Sequence, residues 1–157
     1  MKPVNGRGIS LAKPILLDGS IKQDEEVLKV MDTYADDLAY YKEEIANSSV
    51  FLQRNGSRES NLGNLLTDAL RTCFWHETTI AVQNNGGIRS DLIQGDITRE
   101  DVFAVFPFNN TVDKVTMTGK DIKYMLEHSV SDLCPNATCY ASSFLQLSGI
   151  QVKMFEN

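Results

Sequence analysis

The sequence predicts a single domain of the α+β class, in which helices pack against a mixed sheet. Its 157 residues can bury a sizeable core, and the 42% hydrophobic and 23% charged fractions are those of a soluble globular protein. A long helical pattern runs over Asp24–Ile45, and a short β-branched apolar run over Thr79–Val82 is typical of a buried strand. The other elements follow one another without a regular βαβ rhythm, which favours α+β over a parallel α/β fold.

The chain begins with a predicted linker and a long helix. Pro and Gly residues indicate an extended, linker-like segment over 1–23, and the domain proper is predicted over 24–157. The helix has one apolar face, formed at three- and four-residue steps by Val27, Val30, Met31, Tyr34, Leu38, Tyr41 and Ile45. This face either covers the domain's own sheet or pairs with a second copy, so a monomer and a homodimer are both left open.

Local cap residues place the next elements. A strand is predicted at Val50–Leu52, and Ser60 or Asn61 is a predicted N-cap for a second helix. Gly63 lies in the first turn of that helix, which suggests a close backbone approach to the Asn-Gly-Gly sequence further along the chain.

Cap and turn residues also order the C-terminal half. A short helix is predicted over Asp101–Val105, with a cap in the residues before it and Pro107 as its stop. Alternating apolar residues predict a strand over Thr111–Thr118, whose last residue caps a third helix. Two final strands are predicted at 144–147 and 150–154.

The sequence Gln-Asn-Asn-Gly-Gly-Ile-Arg, which ends at Arg89, directly follows the predicted Thr79–Val82 strand. Gly86 and Gly87 allow positive φ angles and let backbone N–H groups approach a ligand. The amides of the two Asn residues can donate to and accept from a polar ring or a sugar, and the Arg89 guanidinium fits phosphate or carboxylate. Strand, turn and Arg together predict an anion or nucleotide site; a tight loop with a salt-bridged Arg is the alternative.

Charge and hydropathy exclude several classes of partner. The net charge of −6 argues against a nucleic-acid backbone as a partner. No segment approaches the roughly 20 apolar residues of a membrane span, and the first residues lack the apolar core of a signal peptide. Four Asn-X-Ser/Thr sequons favour a secreted protein whose signal has been removed; they lie at Asn47, Asn55, Asn109 and Asn136.

The three cysteines are consistent with secretion. Cys134 and Cys139 bracket a span short enough to close as a small disulfide loop. Cys73 is then the odd one, either buried and inert or paired with another chain. A metal site at Cys134 and Cys139 is disfavoured because neither His76 nor His128 lies close to them in sequence.

Four motifs occur in an order and spacing that resemble the C-terminal domain of the 5′-nucleotidase/apyrase family: Glu59–Leu65, Asn84–Arg89, Phe106–Phe108 and Gly119–Ile122. The residues before them look like that family's interdomain linker and bridging helix, so the resemblance covers nearly the whole chain. In the family, an N-terminal metallophosphatase domain carries two metal ions and the catalytic residues. The C-terminal domain holds the nucleotide and swings it into the metal site.

The resemblance implies roles for single residues. Asn84 matches the Asn that hydrogen-bonds the base, and Arg89 matches an Arg that faces the phosphate side of the substrate. Phe108 matches one of two aromatic residues that sandwich the purine, a role suited to a flat ring. The residues expected to support this loop are Gly86, Gly87, Asn61 and Asn64.

The chain departs from the family in three places. It has no Asp-X-His and no Gly-Asn-His-Glu, so we expect no catalytic residue, metal or other cofactor in the chain itself. The family's second stacking Phe and its ribose-binding Asp come later than Asn157, so the domain is expected to be incomplete at its C terminus, with one side of the base clamp. The counterpart of a further phosphate-side Arg is Gly56, flanked by Arg54 and Arg58.

The resemblance also implies a function. Relatives are secreted in the saliva of blood-feeding arthropods, where they destroy ADP and blunt platelet responses. A secreted, non-catalytic member would modulate host immune cells or haemostasis, with a host cell-surface protein as partner and weak purine-nucleotide binding at best. The alternative is the substrate-binding fragment of an active 5′-nucleotidase or apyrase, which hydrolyses nucleotides only with its N-terminal two-metal domain.

Overall fold

In the computed structural model the chain is described over residues 14–74, 77–133 and 140–153. It divides between Leu38 and Ala39 into two units. The described residues of the first unit form helices but no strand, and the second unit contains all four described strands together with α-helices that begin at Asn61, Arg99 and Gly119.

The first unit contains α1 (Glu25–Asp32), and α2 (Ala35–Ala39) spans the division between the units. Asp24 caps α1, because its Oδ1 accepts hydrogen bonds from the backbone N–H groups of Glu26 and Val27 at 2.9 and 3.1 Å. No residue of either helix is buried.

The single long helix predicted over Asp24–Ile45 is wrong. α1 stops before Thr33, whose hydroxyl donates to the carbonyl of Val30 at 2.7 Å. Such a side-chain bond offers the backbone an alternative to a continued helix. Ile45, at the far end of the predicted stripe, lies in a strand.

The strands of the second unit form two antiparallel pairs. β1 (Glu44–Ser48) pairs with β3 (Gly95–Thr98), and β2 (Ala81–Asn84) pairs with β4 (Leu145–Ser148). The described strands therefore form two separate two-stranded sheets, whereas the sequence predicted one mixed sheet.

Three other predicted strands are absent or reduced among the described residues. The Val50–Leu52 prediction is reduced to a single bridge between Leu52 and Leu92. Residues 111–118 and 150–153 belong to no strand, and residue 154 lies outside the described part. Alternating apolar residues predict a face, but a strand also needs a partner backbone for its N–H and C=O groups.

Two predicted helix caps are confirmed. Ser60 caps α3 (Asn61–Cys73) and Thr118 caps α5 (Gly119–Val130). Each side-chain hydroxyl accepts a hydrogen bond from the backbone N–H three residues on, at 3.0 and 3.3 Å respectively. A capped first turn satisfies N–H groups that have no partner within the helix.

The helix α4 (Arg99–Val105) begins two residues before its predicted start. Thr98 caps it and forms a reciprocal capping box with Asp101. The helix ends at Val105, and Pro107, which has no N–H to donate, follows directly after the C-cap residue.

A small apolar core joins the elements of the second unit. It contains the buried residues Leu62, Ile88, Leu92, Ile97 and Val105, with Leu52, Leu66 and Phe106 packed against it. α3 packs against both β2 and β4. Ile88 directly follows the Asn-Gly-Gly sequence, so the core anchors one end of that turn.

The C-terminal end of the predicted apolar face packs within the second unit. The ring of Tyr41 meets Phe103 of α4 edge-on, with ring centroids 5.4 Å apart. The guanidinium of Arg99 lies 4.5 Å from the centroid of Tyr40. Tyr41 therefore covers part of its own domain, as one of the two alternatives for this face expects.

Candidate functional site

The site is built around the turn that follows β2. A 3-10 turn over Asn85–Gly87 continues directly from Asn84, the last residue of β2. The first two N–H groups of the turn donate to the carbonyls of Phe144 and Ser142, at 2.9 and 3.0 Å. The residues that lead into β4 therefore hold the turn against the second sheet.

The glycines of the turn are explained by close packing. Neither Gly86 nor Gly87 has a positive φ angle, and among the described glycines only Gly95 and Gly149 do, so the predicted positive φ angles are wrong. A β-carbon on Gly87 would collide with the side-chain amide of Gln83. The turn is thus folded tightly against the end of its own strand.

Asn84 presents an exposed amide at the end of β2. Its Nδ2 donates to the carbonyl of Ser142 at 3.2 Å, and its Oδ1 accepts from Nε2 of Gln83 at 3.1 Å. An amide nitrogen carries two hydrogens and an amide oxygen can accept twice. One donor and one acceptor of Asn84 therefore remain available to a ligand.

Arg89 and Phe108 meet beside the same turn. The backbone N–H of Arg89 donates to the carbonyl of Val105 at 2.9 Å, and its Nη1 donates to the carbonyl of Gly86 at 3.4 Å. The guanidinium carbon lies 5.7 Å from the centroid of the half-exposed Phe108 ring, within the range of a cation–π interaction. The structure therefore brings Asn84, Arg89 and Phe108 together around one turn.

The position of Phe108 depends on the way α4 is fixed at both ends. At its start, the carboxylate of Asp101 accepts from the hydroxyl and the backbone N–H of Thr98, at 2.7 and 2.8 Å. These two bonds hold the pKa of Asp101 below its usual range. At its end, Val105 is buried and Pro107 turns the chain out of the helix just before Phe108.

A second guanidinium, that of Arg54, reaches the turn from another segment. Its backbone N–H donates to Oδ1 of Asp91 at 2.7 Å, and its Nη1 donates to the carbonyl of Ile88 at 3.3 Å. Its guanidinium carbon lies 5.8 Å from the centroid of Tyr140. Arg54 and Arg89 therefore bind carbonyls that are only two residues apart in the chain.

Tyr140 occupies the space beside Gly56. A β-carbon on Gly56 would overlap the Tyr140 ring, and the N–H of Ala141 donates to the carbonyl of Gly56 at 2.7 Å. The Tyr140 hydroxyl donates to the carbonyl of Asn85 at 2.7 Å. At this position, where the resemblance expected a phosphate-side Arg, the Tyr140 ring packs and the guanidinium of Arg54 lies over it.

Asn61 and Asn64 bind the segment that precedes α3. Oδ1 of Asn61 accepts from the N–H of Gln53 at 2.8 Å, and its Nδ2 donates to the carbonyl of Phe51 at 2.9 Å. Nδ2 of Asn64 donates to Oε1 of Glu59 at 2.7 Å. Their side-chain bonds within the described residues thus brace residues 51–59 and do not reach the turn.

Sequence reasoning missed Gln146, and it interpreted the amide of Asn85 as a ligand-facing group although that side chain is buried. Asn85 and Gln146 are 2% and 1% exposed, and Nε2 of Gln146 donates to Oδ1 of Asn85 at 2.8 Å. The close approach expected at Gly63 is real, but it is made to the side chain of Gln146. The available signal was the Leu-Gln-Leu-Ser sequence of β4, in which two polar residues recur at period two and so share one face.

Two concave surfaces lie in the second unit. A cleft of about 260 Å³ is lined by Arg54 and by residues between Phe51 and Asn61. A larger and more apolar groove of about 430 Å³ lies between the end of α3, β2, residues 112–117 and α5. Neither surface is lined by Asn84, Arg89 or Phe108, so we place the candidate site at the turn because guanidinium and amide groups meet there, and not because of a cavity.

The described residues contain no group of three or more His, Cys, Asp or Glu side chains that could hold a metal ion. None of the helices in the described ranges is long and apolar enough to cross a membrane. Cys73 is exposed, which contradicts the alternative of a buried thiol. The predicted disulfide partners Cys134 and Cys139, and His76, lie outside the described residues.

Comparison with known proteins gives consistent matches. Residues 39–156 match the family described as 5′-nucleotidase, C-terminal domain. The chain is 34% identical over 158 residues to a 5′-nucleotidase of Diplobatis ommata, a match that covers 89% of this chain and 26% of the relative. It is 30% identical over 152 residues to an apyrase of Tabanus yao, covering 88% of this chain and 27% of the relative.

Among solved structures, the 5′-nucleotidase precursor of Thermus thermophilus is similar, with a TM-score of 0.65 and 34% sequence identity. This match covers 78% of the present chain and 24% of the Thermus chain. The present chain thus spans about a quarter of the length of the proteins that it matches.

Proposed function

We propose, since the chain belongs to the family of 5′-nucleotidase C-terminal domains, that it binds a purine nucleotide without hydrolysing it. We propose further that it acts outside the cell as a modulator of host immune cells or haemostasis. The family match confirms the resemblance predicted from the four sequence motifs, and the fold is that of the family's C-terminal domain.

The observation that carries nucleotide binding is the grouping of Arg89, Phe108 and Asn84 at the turn after β2. A nucleotide combines an anionic phosphate, a flat base and a polar base edge. The guanidinium suits the phosphate, the half-exposed ring suits the base face, and the spare amide groups suit the base edge.

The charge at the turn supports an anionic ligand. Arg54 and Arg89 bind carbonyls of Ile88 and Gly86, so two positive charges converge on one short turn. Among the described residues, no carboxylate forms an ion pair with either guanidinium. The Asp91 carboxylate accepts the backbone N–H of Arg54, and both guanidinium groups keep N–H groups that suit a phosphate.

The absence of hydrolysis is proposed from the donor groups of the chain. Family hydrolysis uses two metal ions in an N-terminal domain, and residues 39–156 match only the C-terminal domain. The described residues do not provide a cluster of ligands for a metal ion. Binding and orientation of a nucleotide are therefore the chemistry that the described side chains can perform.

Action outside the cell is supported by the sequons. Asn47 and Asn109 are exposed in the structure, and Asn109 lies directly after Phe108. Secretion would also allow the predicted Cys134–Cys139 disulfide to form. The proposal includes a host cell-surface protein as partner, and it is compatible with either a monomer or a homodimer.

Calorimetric titration with AMP, ADP and adenosine tests the proposal, with free phosphate followed after addition of divalent metal. We expect saturable but weak binding of AMP, weaker binding of adenosine because it lacks the phosphate, and no phosphate release. Arg89→Ala should weaken AMP binding about tenfold or more, since a hydrogen bond to a charged group contributes about 1.5–3 kcal/mol.

Arg99→Ala is the matched control, because it removes a guanidinium that pairs with Glu43 at 3.0 Å and makes no recorded contact with the turn. Its affinity for AMP should equal that of the wild type. No saturable binding, or equal losses in the Arg89→Ala and Arg99→Ala variants, would overturn the proposed site. Platelet and leukocyte responses at constant nucleotide concentration test the modulatory role separately.

The alternative, a substrate-binding fragment of an active enzyme, is favoured by one observation, the quarter-length coverage of the relatives. Joining the chain to the N-terminal two-metal domain of a related 5′-nucleotidase tests it. Phosphate release that depends on Arg89 would support the fragment, and an inactive but folded fusion would count against it.

A further inference from the structure

The side-chain amide of Gln146 is buried, and both its oxygen and its nitrogen are hydrogen-bonded. Its Oε1 accepts from the N–H of Ser60 at 3.0 Å, and its Nε2 donates to the carbonyl of Arg58 and to Oδ1 of Asn85, both at 2.8 Å. The residue is 1% exposed, so water does not replace these partners. One side chain of β4 thus connects the N-cap of α3 with the turn of the candidate site.

The hydrogen-bond partners fix the orientation of both amides. Oε1 of Gln146 faces a donor at Ser60, and Nε2 faces an acceptor at Arg58, so the reversed amide would lose both bonds. Asn85 must then present its oxygen to Gln146, which leaves its buried Nδ2 without a partner among the described residues. The side chain of Asn85 is therefore oriented by Gln146 alone.

Space for this connection is provided by Gly63 in the first turn of α3. A β-carbon at that position would overlap the side-chain amide of Gln146. The absence of a side chain at Gly63 lets β4 approach the helix closely enough for Gln146 to reach Ser60 and Asn85 at once. The contact between Gly63 and Gln146 therefore links the Glu59–Leu65 motif to the turn through β4.

We propose that Gln146 is a positioning residue for the nucleotide-binding turn. Gln146 fixes Asn85 from the side of the core. Asn85 directly follows Asn84, and Arg89 comes four residues later in the chain. Without the bond from Gln146 the buried side chain of Asn85 has no hydrogen bond among the described residues, and the turn is held by its backbone contacts, the Tyr140 hydroxyl and the Arg89 guanidinium. The inference deepens the proposed function and rests on it for the affinity measurement alone.

Amide hydrogen exchange of the free full-length chain tests the proposal without any ligand. Gln146→Met keeps the length of the side chain and removes its hydrogen bonds. We expect the turn amides of Asn85 and Gly86 to exchange about ten- to a hundredfold faster, the factor expected when a buried hydrogen-bonded connection is lost. Amides of the β1–β3 pair should keep the wild-type rate.

Ser148→Ala is the matched control. Ser148 is buried on the same face of the same strand, and its hydroxyl donates to Asp68 of α3, with no recorded bond to the turn. The loss of one buried hydrogen bond at that position, against three at Gln146, should leave exchange at Asn85 and Gly86 unchanged. If Ser148→Ala accelerates the turn as much as Gln146→Met does, the turn responds to general destabilisation and the proposal fails.

Asn85→Ala removes the other partner of the same hydrogen bond, and it replaces Gln146→Met as the test if that variant does not fold. It should accelerate exchange at Gly86 to a similar extent, and the double variant should add little, because both changes break one connection. Independent, additive effects would contradict the proposal, as would a wild-type exchange rate in Gln146→Met.

AMP titration of the same variants separates the two proposals. If the wild type binds AMP, Gln146→Met should lose about tenfold in affinity while Ser148→Ala keeps it. If the wild type binds no nucleotide, the proposed function fails, and the exchange comparison still decides whether Gln146 positions the turn. Faster exchange with unchanged AMP affinity would refute the positioning role.

Discussion

Replacing Gly63 by alanine tests how closely α3 and β4 are packed. In an open helix the change is favourable by about 1 kcal/mol, because alanine has the higher helix propensity. Here the new methyl group would overlap the amide of Gln146 and force that side chain away. Three hydrogen bonds, to Ser60, Arg58 and Asn85, would be lost.

A typical intramolecular hydrogen bond contributes about 1 kcal/mol, so the three losses amount to roughly 3 kcal/mol. After subtraction of the propensity gain, we expect Gly63→Ala to lower the free energy of unfolding by about 2 kcal/mol. Urea unfolding followed by circular dichroism measures this difference, provided that the slope with denaturant is unchanged.

Gly119→Ala supplies the control for this experiment. Gly119 is the first residue of α5, and a β-carbon there meets no atom within 4 Å. The substitution should be neutral or stabilising by up to about 1 kcal/mol. If Gly63→Ala and Gly119→Ala change the free energy of unfolding equally, the close approach between α3 and Gln146 has no energetic weight and the reasoning is refuted.

Two further predictions concern the ends of α4 and β4. Because the Thr98 bonds lower the pKa of Asp101 in the folded state, their stabilisation is present above the unfolded pKa, about 3.9, and is lost as pH falls through the folded value. Thermal unfolding between pH 2 and 6 should therefore show that Asp101→Asn loses less stability than the wild type as the pH falls. Identical pH profiles would contradict a stabilising role of the Asp101 carboxylate in the cap. Gly149 has φ 81° and a β-carbon there would collide with the carbonyl of Thr79, whereas Gly95 has φ 114° and open space. Gly149→Ala should therefore lower the free energy of unfolding by at least about 1 kcal/mol more than Gly95→Ala, and equal losses would show that backbone strain alone matters.

Local signals in the sequence predicted the starts of α3 and α5 and the end of α4. The caps at Ser60 and Thr118 and the stop at Pro107 depend on atoms within three or four residues, which the sequence displays directly. The prediction of one long N-terminal helix was wrong because the helical spacing of apolar residues continues past Thr33, whereas α1 ends before that residue. Ile45 contributed to that period although it serves a strand whose partner lies about fifty residues later.

The site was predicted only in part, for a related reason. Asn84, Arg89 and Phe108 were found through motifs, but the residues that hold the turn were not. In β4 the polar Gln146 and Ser148 are more deeply buried than the neighbouring leucines, the reverse of the usual pattern. Their hydrogen-bond partners lie in the turn and in or just before α3. No rule based on neighbouring residues reveals partners so far away in sequence.

The connection made by Gln146 has a consequence for biosynthesis. Its three side-chain hydrogen bonds join positions 61, 86 and 88 residues apart. Contacts between residues so far apart in sequence form only when their favourable free energy offsets the conformational entropy lost in closing a long loop. During translation α3 and the turn leave the ribosome well before β4, so a nascent chain that stops short of Gln146 has its helix but no fixed turn. The proposed nucleotide-binding turn therefore gains this connection only after β4 has been synthesised.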